Sequence, residues 1–179
     1  AKNDSFKSFV KGVLETILSE KPADVDALLA CKFSGTDDTV DAVLKDKTFQ
    51  IGEKLSIRRF AVVDGLTSTY VHGGGTIGVI VKAESECADK DAVKAVLKNV
   101  ALQIAAMNPK YLDKDSVPAA DLEAEKEILM AQINNDEKNA SKPEAVKEKM
   151  ILGKIGKFYD TNCLLEQEYV KEDKVKVSA

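Results

Sequence analysis

The stretch TSTYVHGGGTIGVIVK, residues 67–82, decides the fold. Two runs rich in β-branched and aromatic residues, 67–71 and 76–82, flank His72-Gly73-Gly74-Gly75, which predicts a β-hairpin with a tight turn. The glycines also match the G-x-G-x-x-G pattern of dinucleotide-binding proteins. That site needs a helix directly after the glycines to receive the pyrophosphate, whereas a strand-like run follows here. We therefore interpret the glycines as a hairpin turn.

Apolar residues spaced three and four apart predict helices on both sides of this hairpin. The first is followed by Lys21-Pro22 and the fourth by Asn108-Pro109, and a proline is a typical stop. β-rich runs at 55–63 and 164–170 predict two more strands. Helices mixed with hairpin strands indicate an α+β fold. The predicted helices span 6–18, 24–31, 39–48, 89–107, 119–135 and 143–159.

The last two predicted helices are highly charged and carry few apolar residues. Leu129 and Ile133 on the first can meet Ile151 and Ile155 on the second, which predicts an antiparallel helical hairpin. Because so few apolar residues are spread along it, we expect this hairpin to project from the body of the protein.

The first and fourth predicted helices align with each other when Pro109 is set over Pro22, and several lysines then coincide. This match indicates an internal duplication. We expect two similar two-layer subdomains of antiparallel sheet plus helices, at 1–66 and 67–179, with the helical hairpin inserted in the second at about 119–160. By analogy with the second copy, the first is expected to lack strands that would precede Ala1.

Composition excludes several classes of protein. The chain has 26 Lys plus Arg against 30 Asp plus Glu and a net charge of -4, so a basic nucleic-acid binder is not expected. No apolar run is long enough to span a bilayer. Three widely spaced cysteines without a C-x-x-C pair argue against a disulfide framework and a zinc site. We expect reduced thiols in or near the core, a cytoplasmic chain, and no metal or cofactor.

No catalytic constellation emerges from the sequence. His72 is the single histidine, so it cannot be both the oxyanion loop and the base of a hydrolase, and no G-x-S-x-G elbow is present. A rigid turn carrying a histidine is instead a plausible contact point for another protein. All the arginine lies in Arg58 and Arg59, which indicates a fork-shaped ion pair or planar stacking by one of them.

Two segments carry a family resemblance. Residues 51–59, IGEKLSIRR, and residues 68–79, STYVHGGGTIGV, closely resemble bacterial-type translation elongation factor Ts. The similarity covers essentially the whole chain, and it includes Ser141-Lys142-Pro143 and Lys149-Met150 in the charged hairpin, which look like the coiled-coil motif of that family. The resemblance implies an α+β core of two similar subdomains.

The resemblance also implies a function. Members of this family are guanine-nucleotide exchange factors that bind elongation factor Tu and promote GDP release, so the nucleotide lies on the partner and the factor is not an enzyme. Four residues match positions that contact this partner: Ile51 and Gly52 in the first subdomain, and His72 and Gly73 in the second. No direct contact with nucleic acid or membrane is implied. A homodimer and an organellar location both stay open.

The chain departs from the family pattern at its ends. The family's Thr-Asp-Phe-Val segment, which approaches the partner's magnesium site, would lie just before Ala1-Lys2, and the carboxy-terminal module would lie after Ala179. We therefore expect a piece truncated at both ends, with impaired exchange. The alternative from another class is a non-catalytic, dimerising interaction scaffold.

Overall fold

A computed structural model describes residues 3–179. In these residues the chain forms six α-helices, one β-hairpin and a short 3-10 helix, which confirms the α+β class. The elements are α1 (Asp4–Glu20), α2 (Val25–Ala30), α3 (Val40–Ile51), β1 (Leu66–His72), β2 (Ile77–Ala83), α4 (Lys90–Met107), α5 (Ala119–Asn135), α6 (Glu144–Asn162) and the 3-10 helix Leu164–Glu166.

Side-chain capping explains where four of the six described helices begin. Asn3, Asp24, Thr39 and Asp89 each precede a helix, and each side chain accepts hydrogen bonds from backbone N–H groups of the first turn. These caps satisfy donors that have no partner inside the helix.

The helices α1 and α4 end in the same way. Lys21 and Asn108 adopt left-handed backbone conformations, with φ of 48° and 46°, and each donates its N–H to the carbonyl four residues earlier. A proline follows each cap and prevents the helix from continuing. The predicted helix stops at these two places are confirmed.

The chain forms two compact units, and residues of the β-hairpin contribute to both. The first unit contains the described residues up to Thr67 together with 71–78 and 82–84. Its core is the inner face of α1 packed on α2 and α3, and Phe33 stacks on Phe9 with ring centroids 5.8 Å apart. The buried apolar side chains of this core are Phe9, Val13, Ile17, Leu28 and Val40.

The second unit contains residues 68–70, 79–81 and 85–179. Within it, α5 and α6 pack against each other through Leu129, Ile133, Ile151 and Ile155, as the apolar spacing predicts. Near the connection between these helices, the Lys147 ammonium donates to Asn134 Oδ1 at 2.6 Å. Projection of this pair from the body, and a subdomain boundary between residues 66 and 67, stay predictions.

A buried pair of amides ties α4 to the end of the chain. Gln103 Nε2 donates to Gln167 Oε1 at 3.1 Å and to the Glu168 carbonyl at 3.2 Å, while Gln103 Oε1 accepts from the Val170 N–H at 2.8 Å. Both amide side chains are fully buried. Their polar atoms are satisfied, as burial requires.

The strand predicted at 55–63 is wrong, because these residues form no regular secondary structure. A β-rich composition favours an extended chain, but a strand is stabilised only when a neighbour completes its hydrogen bonds. Within residues 3–179, the only hydrogen bond made by the backbone of 54–64 runs from the Leu55 N–H to Thr48 Oγ1, at 3.4 Å.

The closing strand predicted at 164–170 is also wrong. Residues Leu164–Glu166 form a 3-10 turn, in which the Gln167 N–H bonds back to the carbonyls of Cys163 and Leu164. Single bridges flank the turn, and the one after it pairs Glu168 with Lys176. The local turn takes up the N–H groups of Glu166 and Gln167, so these groups are not free to continue a ladder.

Two further expectations are corrected. The apolar spacing along α4 predicts that Val96 faces inward, yet its side chain is exposed. All three cysteines are predicted to lie in or near the core. Cys163 is buried and Cys31 is half-buried, whereas Cys87 is exposed.

In residues 3–179, none of the helices is both long and apolar enough to cross a membrane.

The close approach of Gly12 to Phe33 generates a first prediction. A methyl group at residue 12 would overlap the Phe33 ring, so we expect Gly12→Ala to lower the free energy of unfolding by about 1–3 kcal/mol. The matched control is Gly153→Ala on α6, where the added methyl meets no atom within 4 Å and should raise stability by about 0.5–1 kcal/mol. Urea unfolding measures both, and equal effects would contradict this packing.

The buried amide pair generates a second prediction. Replacing Gln103 with alanine leaves the Val170 N–H without its acceptor, so we expect a loss of about 1–3 kcal/mol in the free energy of unfolding. Gln132→Ala, at an exposed position of α5, should change it by less than about 0.5 kcal/mol. Chemical denaturation followed by circular dichroism compares the two. A similar small change in both would show that the buried network does not stabilise the fold.

Candidate protein-interaction site

The first part of the candidate site is the end of α3. Ile51 is the last helical residue and is half-buried, and Gly52 caps the helix with φ of 75° and donates its N–H to the Thr48 carbonyl at 3.0 Å. Glycine adopts this left-handed conformation without the steric cost that other residues incur. The cap therefore holds the backbone at Ile51 and Gly52 in one defined geometry.

Contacts with α1 orient this helix end. Lys47 Nζ, in the last part of α3, donates to Ser5 Oγ of α1 at 3.2 Å and to Gln50 Oε1 at 3.0 Å. At the other end of α3, Val40 is buried in the core of the first unit. The position of Ile51 is therefore set by packing at the start of the helix and by polar contacts near its end.

Phe49 is an exposed aromatic side chain that the sequence analysis missed. Its side chain is 90% exposed, although phenylalanine is normally buried. It follows Val40 by nine positions, which places it about 180° around the helix from that buried residue. The exposure of Phe49 could have been predicted from the sequence, because the residue falls on the polar face of an amphipathic helix.

The second part of the candidate site is the turn between β1 and β2. Gly73, Gly74 and Gly75 all have positive φ, at 59°, 67° and 100°. The His72 carbonyl accepts from the N–H groups of Gly75 and Thr76, at 3.1 and 3.2 Å, and from Thr76 Oγ1 at 3.3 Å. These bonds confirm the predicted turn and hold the exposed His72 at its start.

Strand β2 follows the glycines directly, so no helix amino terminus is presented to a phosphate. The hairpin instead carries apolar side chains on its surface. Val71, Ile77 and Ile80 are all more than two-fifths exposed. Exposed apolar side chains on a hydrogen-bonded hairpin are suited to contact with another protein.

The predicted contact residues lie on two separate elements of the first unit. Ile51 and Gly52 end a helix, whereas His72 and Gly73 begin a hairpin turn.

Both arginines, Arg58 and Arg59, are exposed, and neither takes part in a salt bridge within residues 3–179. The structure therefore contradicts the fork-shaped ion pair at Arg58 or Arg59, while the alternative, planar stacking by one of them, stays a prediction.

The described residues offer no metal centre, because in 3–179 no three or more His, Cys, Asp or Glu side chains converge on one point. The buried thiol is also unsuited to attack a substrate. Burial raises the pKa of Cys163, which favours the neutral thiol over the reactive thiolate.

The charged side chains that cluster in the second unit are explained by the ion pairs that they form with one another. Lys176 Nζ contacts Glu166 at 2.8 Å and Asp160 at 3.2 Å, and Lys114 also contacts Glu166, at 3.2 Å. The hydrogen bonds from Lys176 and then Lys114 lower the pKa of Glu166. The hydrogen bond with Glu166 in turn raises the pKa of Lys176. These ion pairs link the end of α6 to the last residues of the chain.

Comparison with known proteins assigns the class. The family model described as Elongation factor TS matches residues 1–179. The chain is 41% identical over 181 residues to Elongation factor Ts of Syntrophotalea carbinolica, covering 99% of this chain and 58% of that protein. It is 41% identical over 179 residues to the Trichlorobacter lovleyi protein of the same name, covering 96% and 56%.

A third relative, Elongation factor Ts of Clostridium kluyveri, is 40% identical over 181 residues, covering 99% of this chain and 58% of its own length. The family model and the relatives agree on one class, proteins named elongation factor Ts. The chain belongs to the elongation factor Ts family. It spans a little over half the length of the curated relatives it matches.

Proposed function

We propose that this chain acts as a guanine-nucleotide exchange factor for elongation factor Tu, promoting GDP release during translation elongation in the cytoplasm. The observation that carries the proposal is the family match along all of residues 1–179, with 41% identity to bacterial relatives. In this proposal the chain itself binds no nucleotide and is not an enzyme. The guanine nucleotide lies on the partner.

The contact with the partner uses the end of α3 and the β1–β2 turn. Ile51 and Gly52 supply one point, and His72 and Gly73 supply the other. Both points are supported by backbone that is already held by hydrogen bonds, at the Gly52 cap and at the His72 carbonyl. A preorganised contact loses less conformational entropy on binding than a flexible one does. The exposed Phe49 lies about 160° around α3 from Ile51, so it offers apolar surface on a different side of the helix.

Exchange requires differential binding. A factor that bound equally well to the nucleotide-loaded and the nucleotide-free partner would not shift the equilibrium between them. The chain must therefore bind more tightly to elongation factor Tu when its nucleotide site is distorted, and by linkage GDP weakens that complex to the same degree. Stopped-flow release of a fluorescent GDP from elongation factor Tu tests the activity. Release that is no faster with the chain than without it would refute exchange.

The contact residues generate a third prediction. We expect Ile51→Ala and His72→Ala each to weaken binding to elongation factor Tu by roughly tenfold, because central contacts in an interface often contribute more than about 1 kcal/mol. Binding is measured by isothermal titration calorimetry with the nucleotide-free partner.

Ile128→Ala is the matched control for Ile51→Ala, since Ile128 is an exposed isoleucine on α5. It should leave the affinity unchanged. Circular dichroism establishes that each variant keeps its fold. If both site variants bind as tightly as the unmodified chain, the assignment of these residues is wrong, even if the chain still binds.

A further inference from the structure

Three lysines line a cavity in the second unit, between α5, the last part of α6 and the segment that precedes α5. Lys154 and Lys157 come from α6, and Lys110 comes from the segment between α4 and α5. All three residues are exposed. The cavity has a volume of about 300 Å³, at the lower end of the range for sites that bind small molecules. We call it the lysine pocket.

The backbone fixes the positions of these three lysines. Lys154 and Lys157 lie three positions apart on one helix, so their side chains leave the same face of it. The Lys110 N–H donates to the Asn162 carbonyl at 2.8 Å, which ties the third lysine to the end of α6. The pocket therefore needs little rearrangement to present its three ammonium groups together.

The positive charges of the pocket are not neutralised within the described chain. None of the three lysines takes part in a salt bridge within residues 3–179. Glu125 is the one carboxylate among the described lining residues, and it makes no salt bridge there either. Three positive charges thus face one negative charge, in a chain whose net charge is -4.

The stability of α6 does not explain where its two pocket lysines lie. Like charges three positions apart on a helix repel each other. A cation interacts favourably with the negative end of a helix only within the last turn, and the last turn of α6 contains no basic residue. Asp160, three positions after Lys157, is already paired with Lys176 at 3.2 Å. A bound anion would remove the repulsion between Lys154 and Lys157.

We propose that the lysine pocket binds a compact phosphate ligand that carries at least two negative charges. Lysine binds phosphate as a point-charge donor, whereas arginine is favoured where two parallel hydrogen bonds hold the anion. The basic residues of the pocket are all lysine. Their ammonium groups would donate to the phosphate oxygens, and the buried Leu129 and half-buried Phe158 would exclude water from one side.

The neighbouring surface favours a small ligand over a strand of nucleic acid. The exposed residues Asp121, Glu123 and Glu127 lie on α5, which forms one side of the pocket. A polyanion that extended out of the cavity along α5 would meet these carboxylates, whereas a compact phosphate would occupy the cavity alone. The pocket is also separate from the proposed contacts at Ile51 and His72, which belong to the first unit.

Isothermal titration calorimetry of the complete chain with inorganic pyrophosphate, at low ionic strength, tests the proposal. We expect saturable binding at a single site. Two-dimensional NMR should show shifts confined to the amides around residues 110, 157 and 162. Sulfate, which carries less charge, should bind about tenfold more weakly. A short single-stranded RNA should not displace the pyrophosphate.

Variants of the chain locate the binding site. Lys154→Gln and Lys157→Gln should each weaken pyrophosphate binding roughly tenfold, because each removes a hydrogen bond between charged groups. Lys149→Gln is the matched control, since it removes the same charge from an exposed position of α6 outside the pocket, and it should change the affinity by less than about twofold. Glu125→Gln should tighten binding about threefold, because it removes the carboxylate of the pocket. Circular dichroism checks the fold of each variant.

Four results would each overturn the proposal. The first is no saturable binding of pyrophosphate, and the second is equal affinity for sulfate. The third is an equal loss of affinity in Lys149→Gln and Lys157→Gln, which would show a response to net charge rather than a site. The fourth is an RNA that binds more tightly than pyrophosphate and depends on the same lysines, since the pocket would then belong to a nucleic-acid surface.

Discussion

Burial of one face of α1 is the interaction on which the first unit depends. Phe9, Val13 and Ile17 pack against Leu28 of α2 and Val40 of α3, and full burial of each such side chain contributes about 1.5–3 kcal/mol. This packing fixes the start of α3, so the position of its last turn follows from the length of a rigid helix.

Left-handed backbone supplies the second constraint on the site. At Gly52 it ends α3 and directs the chain away from the helix axis, and at the glycines after His72 it reverses the chain within a few residues. Residues with a Cβ adopt this conformation at a steric cost. The two proposed contact points are thus held by backbone geometry and local hydrogen bonds, which is consistent with binding that needs little reorganisation.

Elements whose bonds are local were predictable from sequence. All six described helices were predictable, because side-chain periodicity, caps and proline stops act within one segment. The hairpin was also predictable, because its glycine turn specifies how the two strands pair. The runs 55–63 and 164–170 were mispredicted as strands, since a strand depends on a partner that composition does not reveal. At the site, the positions of Gly52 and the glycine turn could be inferred from residue type. The exposure of Phe49 could be inferred only from its position around the helix, which is opposite the buried Val40.

The central claim is that the chain contacts elongation factor Tu through the end of α3 and the β1–β2 turn. Amide hydrogen exchange of the chain, alone and with nucleotide-free elongation factor Tu, tests it most directly. The account predicts slower exchange around residues 51–52 and 72–76 in the complex, with α5 changing little. Protection confined to α5 and α6, with unchanged exchange at both contact points, would contradict it.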